Sequence, residues 1–257
     1  MHALMTDAHF WMLAATVAVA GVARGMSGFG TGMIVAPVAG ALYGPQWALV
    51  MIVIIDALPT IPLTLPALRH AHWREVIPVT VGALLFFPLG IAILKAGDPA
   101  VLRWIISAAI LACVAILWSG WRYTGPRNAA VSAAAGGVAG TLSGIAQIPG
   151  PPVIAYWMAS GAAALIVRAN LLTFFFLSEF ISIGNLWFAG LFERGPVTVG
   201  LAAMPVYFAG LLVGWRLFGL ASDRTYRLVT FGLIILAAVL ALPVWDSAIA
   251  AIAAAFA

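Results

Sequence analysis

The chain is a succession of apolar runs, most of them too long and too continuous to be anything but helices in hydrocarbon. They fall at about 9–23, 31–43, 46–68, 76–94, 100–120, 129–145, 150–165, 169–191, 196–220 and 227–245. A helix of about 20 apolar residues rises far enough to cross a bilayer core. Barrel strands would alternate apolar and polar residues, and these runs do not. Inside hydrocarbon, such a run satisfies its own backbone only as a helix. Composition agrees: 64% of residues are hydrophobic and 8% charged, where a soluble domain carries roughly 25% charged. The chain reads as an all-α polytopic membrane protein.

Several functions fall away at once. A formal charge of +4 would suggest nucleic acid in a soluble protein, but here the basic residues read as loop anchors on the cytoplasmic side. Cys113 is a single cysteine in an apolar run and reads as a small core residue. His70 and His72 flank Arg69 without a cysteine or acidic cluster, so no metal is expected, and no cofactor either. "SGFGTGM" lacks the lysine of a phosphate-binding loop and follows no strand. Trp73, Trp104, Trp121 and Trp187 read as interfacial belt residues. The opening "MHALMTDAHFWML" lacks a basic leader region and is read as mature sequence.

The chain also repeats. "PVTVG" stands at 78–82 and again at 196–200, each time opening a long apolar helix that precedes a polar loop with Asp98 or Asp223. Two stretches dense in glycine and proline, "MSGFGTGMIVAPVAG" (26–40) and "LSGIAQIPGPPVIAYWMASG" (142–161), precede these helices in the same order. Two halves follow. The first, 1–124, has a broken helix at 9–43 and helices at 46–68, 76–94 and 100–120. The second, 125–257, has a broken helix at 129–165 and helices at 169–191, 196–220 and 227–245. Basic residues choose the orientation. With each broken helix folded back as a hairpin, Arg69, Arg74, Arg122, Arg127, Arg168, Arg216, Arg224 and Arg227 share one side, against Lys95, Arg103 and Arg194 on the other. With broken helices as full spans, the split is 5 against 6. Only the hairpin arrangement obeys the positive-inside rule. It predicts inverted repeats, six full crossings, two hairpins from opposite faces and both termini outside.

Gly28, Gly30 and Gly32 let the backbone turn and bring bare N–H groups to a surface, and a half-helix starting there points its positive dipole end at whatever fills the cavity. Ser143, Gly144, Gln147, Gly150, Pro151 and Pro152 take the same place in the second half, and Ser27, Thr31, Ser143 and Gln147 add side-chain donors. The competing reading is that the glycines serve only close helix packing. Arg24, at membrane depth, needs an anion or a carboxylate. Direct substrate contact and pairing with Asp56 or Glu179 are both open. Those two acids, deepest in apolar runs, either couple transport to protons or neutralise Arg24. Arg168 and Asn170, at a helix start, read as a topology anchor or as gating residues.

A duplicated chain of this length with "SGFGTGMIVAP" near its start and "SGIAQIPGPPVIAYW" in its second half resembles the TauE/SafE family of sulfite and organosulfonate exporters, over essentially its whole length. The resemblance implies a bacterial inner-membrane secondary carrier for small sulfur-containing anions such as sulfite or sulfoacetate. It marks Ser27, Gly28, Gly30, Gly32 and Pro37, then Ser143, Gly144, Gly150, Pro151, Pro152 and Tyr156, as the matching positions. "IAQIP" stands where family members often carry further glycine, so Gln147 replaces a bare backbone contact by an amide donor. The expected partners are a small anion, the lipid bilayer and protons as the coupling ion, with a homodimer admitted and no nucleic acid. The carrier is expected to alternate access by moving one repeat against the other. The rival readings are an anion channel and a membrane-embedded enzyme, the latter disfavoured because the apolar runs hold no nucleophile-base constellation.

Overall fold

The computed structural model describes residues 7–120, 125, 128–158 and 162–217, with single positions (Gly232, Ile235, Val239, Leu242 and Val244) beyond them. The expected helix at 227–245 as a helix, the residues Trp121, Arg122, Arg127, Asp223, Arg224 and Arg227, and the side chain of Ser27 lie outside the described residues. The regular structure is helical throughout the described residues: α1 (Ala8–Ser27), α2 (Thr31–Tyr43), α3 (Pro45–Ala57), α4 (Ile61–Thr64), a 3-10 turn (Ala67–Arg69), α5 (Trp73–Ala96), α6 (Pro99–Ser119), α7 (Ala129–Ala146), α8 (Gly150–Met158), α9 (Ala164–Phe188) and α10 (Arg194–Leu217). Six of them, α1, α5, α6, α7, α9 and α10, contain stretches long and apolar enough to cross a membrane.

One expected span is not continuous. The run 46–68 becomes α3, a turn at 58–60, α4 and the 3-10 turn. Pro59, Pro62 and Pro66 recur every three or four residues, and each lacks the N–H that a helix ladder needs. Two threonines repair part of the break: Thr60 Oγ donates to the Asp56 carbonyl at 2.8 Å and Thr64 Oγ to the Thr60 carbonyl at 3.0 Å.

Both glycine-dense segments fold back on themselves. α1 ends at Gly28, left-handed at φ 77°, whose N–H closes on the Arg24 carbonyl at 2.7 Å, and Gly30 at φ 108° starts α2. The feet of this hairpin meet where the His9 and Tyr43 rings lie 6.2 Å apart, edge to face. α7 ends instead on Gln147, left-handed at φ 56°. Its hairpin is tied at the foot by Ser132 and Tyr156, hydroxyl to hydroxyl at 2.7 Å.

Small residues set which helices touch. Gly21 and Gly25 on α1 sit on the backbone of Tyr207, Leu211 and Trp215 in α10, while Gly210 and Gly214 sit on Ala18 and Val22. α5 and α7 meet in the same way, Gly82 on Ala133, Gly136 on Val79, Gly140 on Ala83, and Gly90 and Gly144 against each other. Residue numbers rise together in both pairs, so the partners run the same way. Gly195 and Gly200 on Trp47 and Ile54 add α3 to the direction of α1 and α10. Asn170, accepting from His72 N at 2.7 Å, and Lys95, donating to the Ala189 carbonyl, add α9 to the direction of α5 and α7. A cluster of Leu49, Val50 and Val53 with Phe87, Ile91 and Leu94 joins the start of α3 to the end of α5, which fixes the two sets as opposed. Arg69, Arg74, Arg168 and Arg216 therefore stand at one end of the described bundle and Lys95, Arg103 and Arg194 at the other.

Gly144→Ala drives a methyl group into the Gly90 turn, where its carbon would stand 2.8 Å from Gly90 Cα. It is expected to cost about 1–3 kcal/mol and to lower the thermal midpoint of the detergent-solubilised protein. Gly184→Ala on α9, with open space around it, is the control and should leave the midpoint unchanged or raise it.

Candidate functional site

The ends of α1 and α3 each deliver one charge to the same buried place. Arg24 lies in the last turn of α1 and Asp56 in the last turn of α3, and Arg24 Nη2 meets Asp56 Oδ2 at 3.1 Å. Both residues are buried, at 8% and 4% exposure. The other Asp56 oxygen accepts from Thr31 Oγ at 3.3 Å and from the Tyr207 hydroxyl of α10, while Thr31 and Tyr207 touch at 2.8 Å. The guanidinium also lies 5.1 Å from the centre of the Phe175 ring of α9, a cation–π arrangement. Glu179, one turn further along α9, lines the same cavity as Asp56.

These groups, Tyr207 excepted, border a cavity of about 30 Å³ between the two hairpin tips, room for only two or three waters. One tip contributes Phe29 to Met33 and the other Gln147 to Gly150. The tips meet where Gly32 packs on the Gln147 carbonyl, so closely that any side chain at 32 would enter it. The left-handed turn at Gln147 puts its amide at the cavity wall. There Ser182 Oγ donates to Oε1 at 3.1 Å, which commits that end as the acceptor. Nε2 is left buried and, among the described residues, without a partner. The Ser178 hydroxyl, also at the wall, is in the same position. Buried polar atoms are rarely left so, because each costs about 1–3 kcal/mol unpaired.

The two half-helix ends are not equal donors. The first turn of α2 offers the N–H groups of Thr31, Gly32 and Met33, since the ladder begins with Ile34 N on the Gly30 carbonyl at 3.1 Å. In α8, Pro151 and Pro152 have no N–H, leaving Gly150 alone in the corresponding positions. Arginine, amide, hydroxyl and bare N–H groups bring donors to the wall, and the Asp56 and Glu179 carboxyls stand among them. Among the described residues no group of three His, Cys, Asp or Glu gathers as a metal site would require, and His70 instead meets the Pro66 carbonyl at 3.2 Å.

Of the residues singled out in the sequence, Arg24, Gly30, Thr31, Gly32, Asp56, Gln147, Gly150 and Glu179 border the cavity. Gly28 is the cap of α1. Ser143 and Gly144 do not reach the cavity. The sequence aligns the two Ser-Gly pairs, but the backbone breaks one turn later in the second hairpin, at Gln147 rather than beside Ser143, so Gly144 is a packing glycine against α5. Pro151 is buried in the first turn of α8 and is not a wall residue, and Tyr156 is spent on Ser132. Asn170 fastens the 70–72 loop to α9, its Nδ2 reaching Glu75 at 3.4 Å. Arg168 is exposed beside a separate groove with Pro62, Pro66 and Trp215. Tyr207, Phe175, Ser178 and Ser182 were not anticipated, since a lone hydroxyl or ring in an apolar run is ordinary; only the proximity of Ser178 to Glu179 offered a signal.

The family described as Sulfite exporter TauE/SafE matches residues 13–241, and the chain belongs to it. Neither the curated proteins nor the solved structures contain a match.

Removing one member of the buried pair strands the other. Arg24→Gln or Asp56→Asn alone is expected to cost about 3–5 kcal/mol, and the double variant less than the two losses added. Thermal midpoints of the four proteins, compared as a double-mutant cycle, measure the coupling.

Proposed function

We propose that this member of the TauE/SafE family is a secondary carrier that exports a small sulfur oxyanion, held at mid-membrane between the two hairpin tips and coupled to protons through the Asp56–Glu179 pair. The carrying observation is the pair of buried donors, Gln147 Nε2 and Ser178 Oγ, unpartnered among the described residues and at the wall of the cavity that Arg24 also borders. Family membership supports the transport of sulfur anions. The cavity's size favours a compact ion such as sulfite over extended organosulfonates such as sulfoacetate, because about 30 Å³ leaves no room for a carboxymethyl tail.

In this reading the chain is two inverted repeats, 1–124 and 125–257. The opposed directions of α1 and α7, and of α5 and α10, support it. The protein sits in the bacterial inner membrane with both termini periplasmic and with the end bearing Arg69, Arg74, Arg168 and Arg216 in the cytoplasm. Asp56 closes Arg24 into a neutral pair. The anion is then met by the remaining guanidinium donors, the amide, the hydroxyl and the first turn of α2, a constellation typical of broken-helix carriers.

Each donor removed from an anion costs about 1.5–3 kcal/mol, roughly tenfold to hundredfold in affinity. Gln147→Leu and Ser178→Ala are therefore each expected to raise the KM for sulfite efflux from proteoliposomes by at least about tenfold, with folded protein retained. Unchanged KM in both would refute the site. Accessibility tags beside Arg69 and beside Arg216 should label from the same face of the membrane, and labelling from opposite faces would refute the orientation.

A further inference from the structure

Resting on the reading of the cavity as an anion site, we infer that the anion binds together with one proton, and that the proton resides on the Glu179 carboxyl. The charged groups facing Glu179 come from two other helices. They are Arg24 on α1 and Asp56 on α3, and Asp56 in turn holds the Tyr207 hydroxyl of α10. One guanidinium thus serves two carboxylates, and it is already engaged by one of them. Asp56 has a donor for each oxygen: Arg24 on one, Thr31 and Tyr207 on the other. Glu179 has the opposite circumstance. Its Oε2 is out of solvent contact and, among the described residues, has no hydrogen-bond partner, and Glu179 borders the same cavity as Gln147, whose Nε2 is likewise without one.

An anion arriving beside an ionised Glu179 would bring a third negative charge to a dry site with a single cation among the described wall residues. A proton taken from solution onto Glu179 removes that repulsion. It also creates an O–H able to donate to Asp56 or to the anion itself. Anion and proton therefore bind cooperatively, and each promotes the other by the same factor. This sense of coupling carries proton and anion in the same direction; doubly charged sulfite with one proton keeps one net negative charge, so an inside-negative membrane potential drives the pair outward.

The test counts protons. Methanesulfonate, which stays fully ionised near neutral pH, is titrated calorimetrically into the full-length protein in nanodiscs, in Tris and in imidazole. These buffers differ in ionisation enthalpy and are not anionic competitors. Wild type is expected to take up about one proton per methanesulfonate bound, with affinity rising up to about tenfold per unit fall in pH. Glu179→Gln, which keeps the shape and stays neutral, is expected to bind with no uptake and no pH dependence. Binding to wild type without uptake, or with proton release, overturns the inference while leaving the anion site standing. Uptake that persists in Glu179→Gln overturns the assignment to Glu179. Wild type that binds no methanesulfonate overturns this inference, and if it binds no sulfite either, the anion site falls with it. The wild-type proton count stands as a test even if the variant does not fold.

Discussion

A guanidinium placed inside hydrocarbon must be answered where it stands, and the answer given to Arg24 organises the centre of this molecule. Asp56 meets it at 3.1 Å, but a bare ion pair gains little against the loss of hydration unless its remaining polar atoms are also served. Thr31, Tyr207 and the Phe175 ring complete the shell. Together with Arg24 itself, these groups come from five different helices. The pair consequently fixes the end of the first hairpin against α3, α10 and α9 at once. Glu179 borders the same cavity beside this closed arrangement, its Oε2 without a partner among the described residues.

The second organising constraint is backbone proximity. Between hydrocarbon tails and apolar side chains there is no hydrophobic driving force, so helices adhere where small residues let their backbones come close. Two such seams dominate, α1 on α10 and α5 on α7, and each is glycine on backbone along several turns. The glycines therefore divide into two classes. Gly28 and Gly30 are needed for left-handed backbone at the turn. Gly82, Gly136, Gly144 and Gly214 are needed because nothing larger fits.

How far the sequence revealed this depended on what hydrocarbon punishes. Spans were legible because an apolar run of that length has few other uses, and Arg24, Asp56 and Glu179 stood out because a charge there is costly. The break after Ala57 was hidden, since membrane helices often tolerate a proline and only three in close succession ended this one. Tyr207 and Ser178 were invisible because a hydroxyl or ring costs an apolar helix little. The second hairpin was misregistered for a physical reason. Matching letters aligned Ser27-Gly28 with Ser143-Gly144, whereas the turn is set by left-handed backbone, supplied by glycine in one hairpin and by glutamine in the other.

The crossing of the two seams decides what can move as a unit. α1 is bound to α10 and α5 to α7, so each long helix is joined to one from the far side of residue 124 rather than to its sequence neighbours. The plane of division is not at the midpoint of the chain. Arg24, Thr31, Asp56 and Tyr207 ride on one block, while Gln147, Phe175, Ser178, Ser182 and Glu179 ride on the other. Between them cross an arginine over a ring, a glycine on a carbonyl, and the apolar cluster of Leu49, Val50 and Val53 with Phe87, Ile91 and Leu94. Sliding one block past the other would part those links while leaving every hydrogen bond within each block intact.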